Sequence, residues 1–404
     1  MTEKSTLIFG AGKIGRSFIG QLFGKAGYHI VFVDMDESLV HELNKRGTYP
    51  VIIKGPALET KLIIDNVRAI YAMDRQAVIQ AVGVAEIAAI SVGKNALPSI
   101  AKVVAMGLLK REKNSPGRIL DIILAENMRS ADLFFREKLR ENLPSLFPLD
   151  EHVGLVETSI GKMVPIMTAS DLEKDPLQVF AEPYNTLILD KNGFRGKIPD
   201  IKDLALKENM KAWVDRKAFI HNLGHATAAY CGHLKFPDAT FMYEVLADRE
   251  VYQFTHDVML ESARILMVVY PEEFTTEHLS SHIEDLLTRF QNRNLGDTVF
   301  RVGSDLQRKL GTDDRFMGII RMALQTNYPY GMILEAMAMG FLFQGRDEHG
   351  VMFTEDIVFH EACSNNLDRV IQHVCGLDDA SDATLITQLK QNLKRKSSER
   401  TTKH

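Results

Sequence analysis

A short apolar run at 6–9, TLIF, opens the chain, and similar β-branched or aliphatic runs recur at 29–33, 87–91 and 119–125. Between the first two, Ile14, Phe18, Leu22 and Ala26 return at every fourth position, with Ile19 and Phe23 beside them. Side chains four apart stack on one side of a 3.6-residue winding, so this spacing predicts a helix with one face to bury. Strand, amphipathic helix and strand make a βαβ unit. Its rhythm over the first 125 or so residues predicts a mainly parallel α/β sheet.

From about Leu204 the strand signals fade and long helical patterns take over, at 217–230, 238–269 and 315–343. The stretch 181–200, AEPYNTLILDKNGFRGKIPD, lies between the two regimes; its glycines and prolines break helices, and its NTLIL core suits an edge strand or hairpin. A domain boundary is expected there, giving an α/β domain with extra strands over 1–195 and a mainly helical domain over 196–385. The basic polar tail 386–404, with Lys394, Arg395, Lys396, Arg400 and Lys403 against Glu399, is expected to be solvated and frayed.

Composition narrows the function classes. Over 404 residues, 45% hydrophobic and 25% charged side chains are ordinary for globular domains, and a net charge of −5 is wrong for a surface built to neutralise nucleic-acid phosphates. Cys231, Cys363 and Cys375 form neither a CxxC pair nor a disulfide framework, which points to a reducing cytoplasm. The start MTEKSTLIFGAG has no secretory core, and apolar runs such as 265–269 fall far short of the ~20 residues of a membrane span. A small-molecule partner is expected, with neither nucleic acid nor membrane, and no pattern in the sequence sets an oligomeric state.

The first run leads directly into Gly10-Ala11-Gly12-Lys13-Ile14-Gly15, a GxGxxG element that opens the amphipathic helix. In that context Gly10 makes the tight turn, Gly12 lets backbone approach a pyrophosphate and Gly15 lets helix and strand pack closely. Free N–H groups at the helix start then face the phosphates. The second run ends at Asp34, where a carboxylate accepts hydrogen bonds from ribose hydroxyls and repels a 2′-phosphate. With Met35 rather than arginine next to it, the reading is a Rossmann domain for NAD rather than NADP. The run 88–94, AAISVGK, reads as a strand ending in a glycine turn in which Val92 and Gly93 line the cofactor crevice, and equally as an ordinary strand-to-helix turn.

In the helical half, Lys217, Asn222 and His225 fall within about 140° on a helix otherwise occupied by Ala218, Phe219, Ile220 and Leu223. Oxidation of an alcohol needs a base for the hydroxyl proton and donors for the developing alkoxide. A lysine can be that base if burial or a neighbouring cation lowers its pKa. The same residues also admit a surface lysine with two locally bonded neighbours. His221 and His225, four apart, admit part of a metal site that lacks a glutamate and a third ligand.

Four stretches together carry a resemblance: FGAGKIGRSFIG, AEPYNTLILDKNGF, DRKAFIHNLGHATAAY and NLGDTVFRVGSDLQRKLGTDDR. They resemble the polyol-specific long-chain dehydrogenases. That resemblance implies a Rossmann domain followed by a 6-phosphogluconate dehydrogenase-like helical domain, NAD as cofactor, and no metal. It implies Lys217 as general base, with Asn222 and Asn127, the latter in Ala125-Glu126-Asn127-Met128, as oxyanion donors and His225 as a substrate contact. Arg301 and Lys309, with Arg308 beside them, would hold the polyol chain and a phosphate, unless they form only a surface basic cluster. The expected reaction interconverts mannitol 1-phosphate and fructose 6-phosphate. The alternatives are an unphosphorylated polyol or hexuronate as substrate, and an NAD-binding protein without turnover. Three departures bear on specificity: Ile160-Gly161-Lys162-Met163 lacks the family's aspartate and has lysine for arginine, Leu187 replaces a tryptophan, and Ser304 replaces an arginine.

Overall fold

Leu7 and Phe9 face one side of the first strand and Ile8 the other, and all three are buried. Burial on both faces belongs to a parallel sheet covered by helices on each side. The computed structural model describes residues 4–401. The chain divides into two units between Val214 and Asp215.

The first unit contains eleven strands among its described residues: β1 Ser5–Phe9, β2 His29–Asp34, β3 Tyr49–Lys54, β4 Glu59–Ile64, β5 Val67–Tyr71, β6 Ile87–Ile90, β7 Leu120–Leu124, β8 Val153–Ser159, β9 Val179–Ala181, β10 Leu187–Asp190 and β11 Leu204–Lys207. Eight of them form one sheet in the order β11-β10-β8-β7-β6-β1-β2-β5. The pairs from β8 through β5 are parallel, while β10 runs antiparallel to β8. A second sheet, β4-β3-β9, stands apart, with β3 and β4 as an antiparallel pair. Two apolar clusters fill the two faces of the large sheet: Ile8, Phe18, Phe32, Ala89 and Ile123 belong to one, and Leu7, Phe9, Val31, Ile90 and Leu124 to the other.

Two expectations about layout need correction. The boundary lies at Val214/Asp215 rather than at 195/196, because 187–190 and 204–207 pair as parallel strands of the first unit instead of bridging two domains. Through Thr401 the tail is helical rather than frayed. Helix Ala383–Thr401 buries Leu385, Ile386, Leu389 and Leu393, a stripe at four-residue spacing, and packs on helix Gly331–Phe341. Lys396 and Arg395 pair with Glu335 at 2.7 and 2.8 Å, so part of the basic run is neutralised locally. Lys403 and the Arg400 side chain lie outside the described residues.

The second unit is helical, but two long periodic stretches break. The pattern at 238–269 divides before helix Arg249–Val269, where the Asp248 carboxylate accepts the N–H groups of Glu250 and Val251 as an N-cap. The pattern at 315–343 divides into Met317–Thr326 and Gly331–Phe341. Asn327 between them takes a left-handed φ of 52°, and Pro329 follows. All three cysteines are free. Among the described residues no helix is long and apolar enough to cross a membrane.

Candidate active site

In the first unit the turn after β1 is shaped by what surrounds each glycine. Gly10 has φ +92°, and a Cβ there would stand 2.6 Å from the Ser91 carbonyl oxygen, so only glycine fits. A Cβ on Gly15 would collide with the Gly10 carbonyl, whereas one on Gly12 would meet nothing within 4 Å. Gly10 and Gly15 are thus demanded by the protein's own packing, and Gly12 presents bare backbone to open space. Lys13 is exposed and Ile14 half-buried as the helix begins.

Asp34, at the end of β2, reaches this turn. Its Oδ2 accepts the Ala11 N–H at 2.6 Å and its Oδ1 the Asp36 N–H at 3.0 Å. A carboxylate has about four lone-pair sites, so acceptor capacity is left for vicinal hydroxyls. Val92 and Gly93 follow β6 as a turn, with Gly93 at φ +88°. Their N–H groups point at the Glu126 carboxylate, at 2.8 and 2.9 Å, and so are spent on the protein. Burial raises the Glu126 pKa, against the pull of those two N–H donors. The next residue, Asn127, is exposed at the C-terminal end of β7.

Both functional helices contain a six-residue π-helical stretch, Gly15–Gly20 near the helix start in the first unit and Lys217–Asn222 in the second, where it continues from the α-helix Met210–Arg216. A π turn bonds residue i to i+5, so it aligns Lys217 with Asn222 more closely than α-helical winding does. Leu223–Lys235 then continues as α-helix and carries His225.

Lys217 is half-buried. Burial first, and then the Arg315 guanidinium, lower its pKa to about 8, with Asp314 pulling the other way. Arg315 is 8% exposed; its Nε donates to Asp314 at 2.8 Å and its Nη1 to the Asn222 carbonyl at 3.2 Å. Burial would raise the Asp314 carboxyl, but Arg315 outweighs it and holds the group below the ordinary range.

His225 stacks on Phe290, with ring centroids 4.3 Å apart and planes 4° from parallel. Its Nε2 lies 3.4 Å from Asp297 Oδ2, yet neither atom has a formed hydrogen bond. Burial, followed by the charges of Arg301, Lys309, Arg315 and Arg289, holds the His225 pKa well below 6.5, so the ring is neutral. Burial raises Asp297, while Arg301 pairs with it one helical turn away.

Arg301 sits on helix Val299–Gly303, capped by Thr298, whose hydroxyl accepts the Arg301 N–H at 3.1 Å. Arg308 and Lys309 sit on the short helix Leu306–Lys309. The buried Asp356 carboxylate caps that helix by accepting the Asp305 and Leu306 N–H groups, while Asp305 is held at φ +75°. Arg308 is half-exposed and paired with Asp305 and Asp314. Lys309 is buried, with Nζ donating to the carbonyls of Val302 and Ser304. Burial, then Arg315 and Arg308, lower its pKa to about 7. Of these three cations Lys309 is buried, while Arg301 and Arg308 are exposed and paired with carboxylates.

The second unit gathers Lys217, Asn222, His225, Arg301 and Lys309 around Arg315 and Asp297, two residues that sequence reasoning did not single out. Asp297 had a readable signal, an acid four residues before Arg301. Arg315 had none, because the site groups it acts on, the Asn222 carbonyl and Lys217, lie far away in the chain. His221 and His225 have centroids 6.3 Å apart, and among the described residues no three His, Cys, Asp or Glu gather as a metal-binding group.

Known proteins share this architecture along its length. A mannitol-1-phosphate 5-dehydrogenase of Bacillus licheniformis is 31% identical over 92% of this chain and 96% of its own. One of Streptococcus mutans is 31% identical over 94% and 96%. Among solved structures, a D-sorbitol dehydrogenase in substrate-free form superposes with a TM-score of 0.78 at 16% identity, covering 97% of this chain and 92% of that one. The Pseudomonas fluorescens mannitol 2-dehydrogenase, in ternary complex with NAD and D-mannitol, gives 0.65 at 16% identity, covering 97% and 95%; both share the fold. The family models for the mannitol dehydrogenase Rossmann domain and the mannitol dehydrogenase C-terminal domain match residues 4–203 and 209–396, so the chain belongs to the mannitol dehydrogenase family.

Proposed function

We propose that this chain is an NAD-dependent oxidoreductase that interconverts D-mannitol 1-phosphate and D-fructose 6-phosphate. The observation that carries the chemistry is Lys217, an amine brought to a pKa of about 8 on the same π turn as Asn222. A base is most effective with its pKa near the working pH. The substrate assignment is supported by relatives named mannitol-1-phosphate 5-dehydrogenase that match over nearly the whole chain.

The glycine turn fits the cofactor: Gly12 leaves backbone open to a pyrophosphate, and Asp34 offers acceptors to the adenosine ribose while its charge disfavours a 2′-phosphate. NAD, when bound, supplies the acceptor for the hydride. As the substrate's CH–OH becomes C=O, the hydrogen on carbon leaves as hydride and the hydroxyl proton passes to Lys217 Nζ. Asn222 and Asn127 donate hydrogen bonds to the oxygen as it takes on alkoxide character. Neutral His225 bonds a substrate hydroxyl without adding charge. Val92 and Gly93 act through Glu126, which holds their turn beside Asn127. The proton is handled by side chains, so no step is routed through a metal.

Arg301, Arg308 and Lys309 serve the substrate chain and its phosphate. Each already holds an acceptor, so phosphate binding exchanges partners instead of meeting bare charges, and a dianion beside Lys309 favours its protonated form. A cytoplasmic setting, where sugar phosphates and NAD meet, goes with this reading. The test is a panel of fructose 6-phosphate, fructose, tagaturonate and fructuronate, followed by NADH absorbance. Turnover of fructose 6-phosphate is expected, and activity confined to the unphosphorylated sugars would replace the substrate assignment.

A further inference from the structure

An arginine on the packed face of the cofactor helix is an expensive choice, since burying a charge is unfavourable unless its donors are satisfied. Arg16 is 7% exposed, one residue past the last glycine of the GxGxxG turn, with Ser17, Phe18 and Ile19 buried behind it. Its Nε donates to the Ala11 carbonyl at 2.6 Å, and its Nη1 donates to the Leu177 carbonyl at 2.6 Å. The fully buried Tyr49 hydroxyl donates to the Arg16 carbonyl at 2.8 Å. Backbone and guanidinium are both fixed, and one side chain joins the glycine turn to the segment leading into β9.

We infer that Arg16 is a positioning residue for the pyrophosphate: it clamps the Ala11–Gly12 peptide so that the Gly12 N–H is presented to the phosphates. A trans peptide is planar and points its carbonyl and its N–H in opposite directions. Holding the Ala11 carbonyl on Arg16 therefore aims the Gly12 N–H away from the protein, on the residue whose Cβ would meet open space. Asp34 fixes the same peptide chain one step earlier by accepting the Ala11 N–H. The turn is thus held from both sides, by a carboxylate on the N–H of Ala11 and a guanidinium on its carbonyl. A lysine at position 16 keeps the charge but offers a single nitrogen where two separate carbonyls must be reached.

This inference rests on the reading of the glycine turn as the NAD site. The experiment measures NADH binding by fluorescence, with ADP and adenosine as competitors, on the parent chain and on Arg16→Gln and Arg16→Lys. Circular dichroism identifies the variants that fold, and Arg16→Lys, which keeps the buried cation, is the one to read should Arg16→Gln fail. NADH and ADP are expected to weaken by about tenfold or more in both variants, while adenosine, which has no phosphate, stays within about twofold. A folded variant that binds NADH and ADP within about twofold of the parent overturns the clamp while leaving the cofactor reading intact. Equal weakening of ADP and adenosine also overturns it, because the defect is then not at the phosphates. A parent chain that binds neither NADH nor ADP overturns the cofactor reading and this inference together.

Discussion

The two π turns solve different problems with different materials. At Gly15–Gly20 and the glycine turn that leads into it the working parts are backbone: glycines that leave room, N–H groups at a helix start, and the side chains of Arg16 and Asp34 that hold the glycine turn at Ala11. At Lys217–Asn222 the working parts are side chains, and their properties come from burial and from charges on a turn elsewhere in the chain, Arg315 and Asp314. A backbone site is written in contiguous sequence, because strand, glycine spacing and helix must follow one another. A side-chain site tuned by charge is scattered, and only its central helix can be read directly.

The largest effect separates the two turns outright. Lys217→Ala should lower kcat in both directions by about 10³-fold, the range of general acid–base catalysis, with NADH affinity unchanged in a fluorescence titration. Full turnover in a folded Lys217→Ala protein would remove the base from the proposed mechanism. Gly10→Ala attacks the other turn. A side chain at φ +92° against the Ser91 carbonyl should cost about 1–3 kcal/mol of stability, read as a lower Tm, together with loss of NADH binding. Asp34→Ser is milder. Removing its charge should cut the preference for NAD over NADP by about tenfold, seen as a ratio of kcat/KM values, and an unchanged ratio would mean that another residue excludes the 2′-phosphate.

Legibility in the sequence followed the same division. Strands β1, β2, β6 and β7 were readable because each is a buried apolar run beside a turn or helix signal. Strand β4 was not: its sequence ETKLII is mostly exposed, and it owes its place to pairing with β3. The helix at Ala383–Thr401 was hidden by its lysines and arginines, although Leu385, Leu389 and Leu393 marked a buried face. Lys217, Asn222 and His225 were visible as near neighbours in sequence. What the sequence withheld was their surroundings: Phe290 stacked on His225, Asp297 facing it, and Arg315 bonded to the Asn222 carbonyl.

Those surroundings make the smallest and most specific prediction. With Lys217 near a pKa of about 8, oxidation of mannitol 1-phosphate needs the neutral amine, so its rate should rise with pH through about 8 and then level off. Reduction of fructose 6-phosphate needs the protonated amine and should decline over the same interval. Arg315 lowers that pKa and Asp314 raises it. Removing the cation in Arg315→Met should therefore move both inflections to higher pH, and removing the anion in Asp314→Asn should move them to lower pH. Arg315→Lys keeps a charge but loses the guanidinium fork that reaches both Asp314 and the Asn222 carbonyl. It should hold the inflection near the parent value while reducing kcat, which separates the electrostatic role from the positioning one. Shifts of the same sign in Arg315→Met and Asp314→Asn would show that Lys217 is not the titrating group, because no single amine between opposite charges responds alike to losing either.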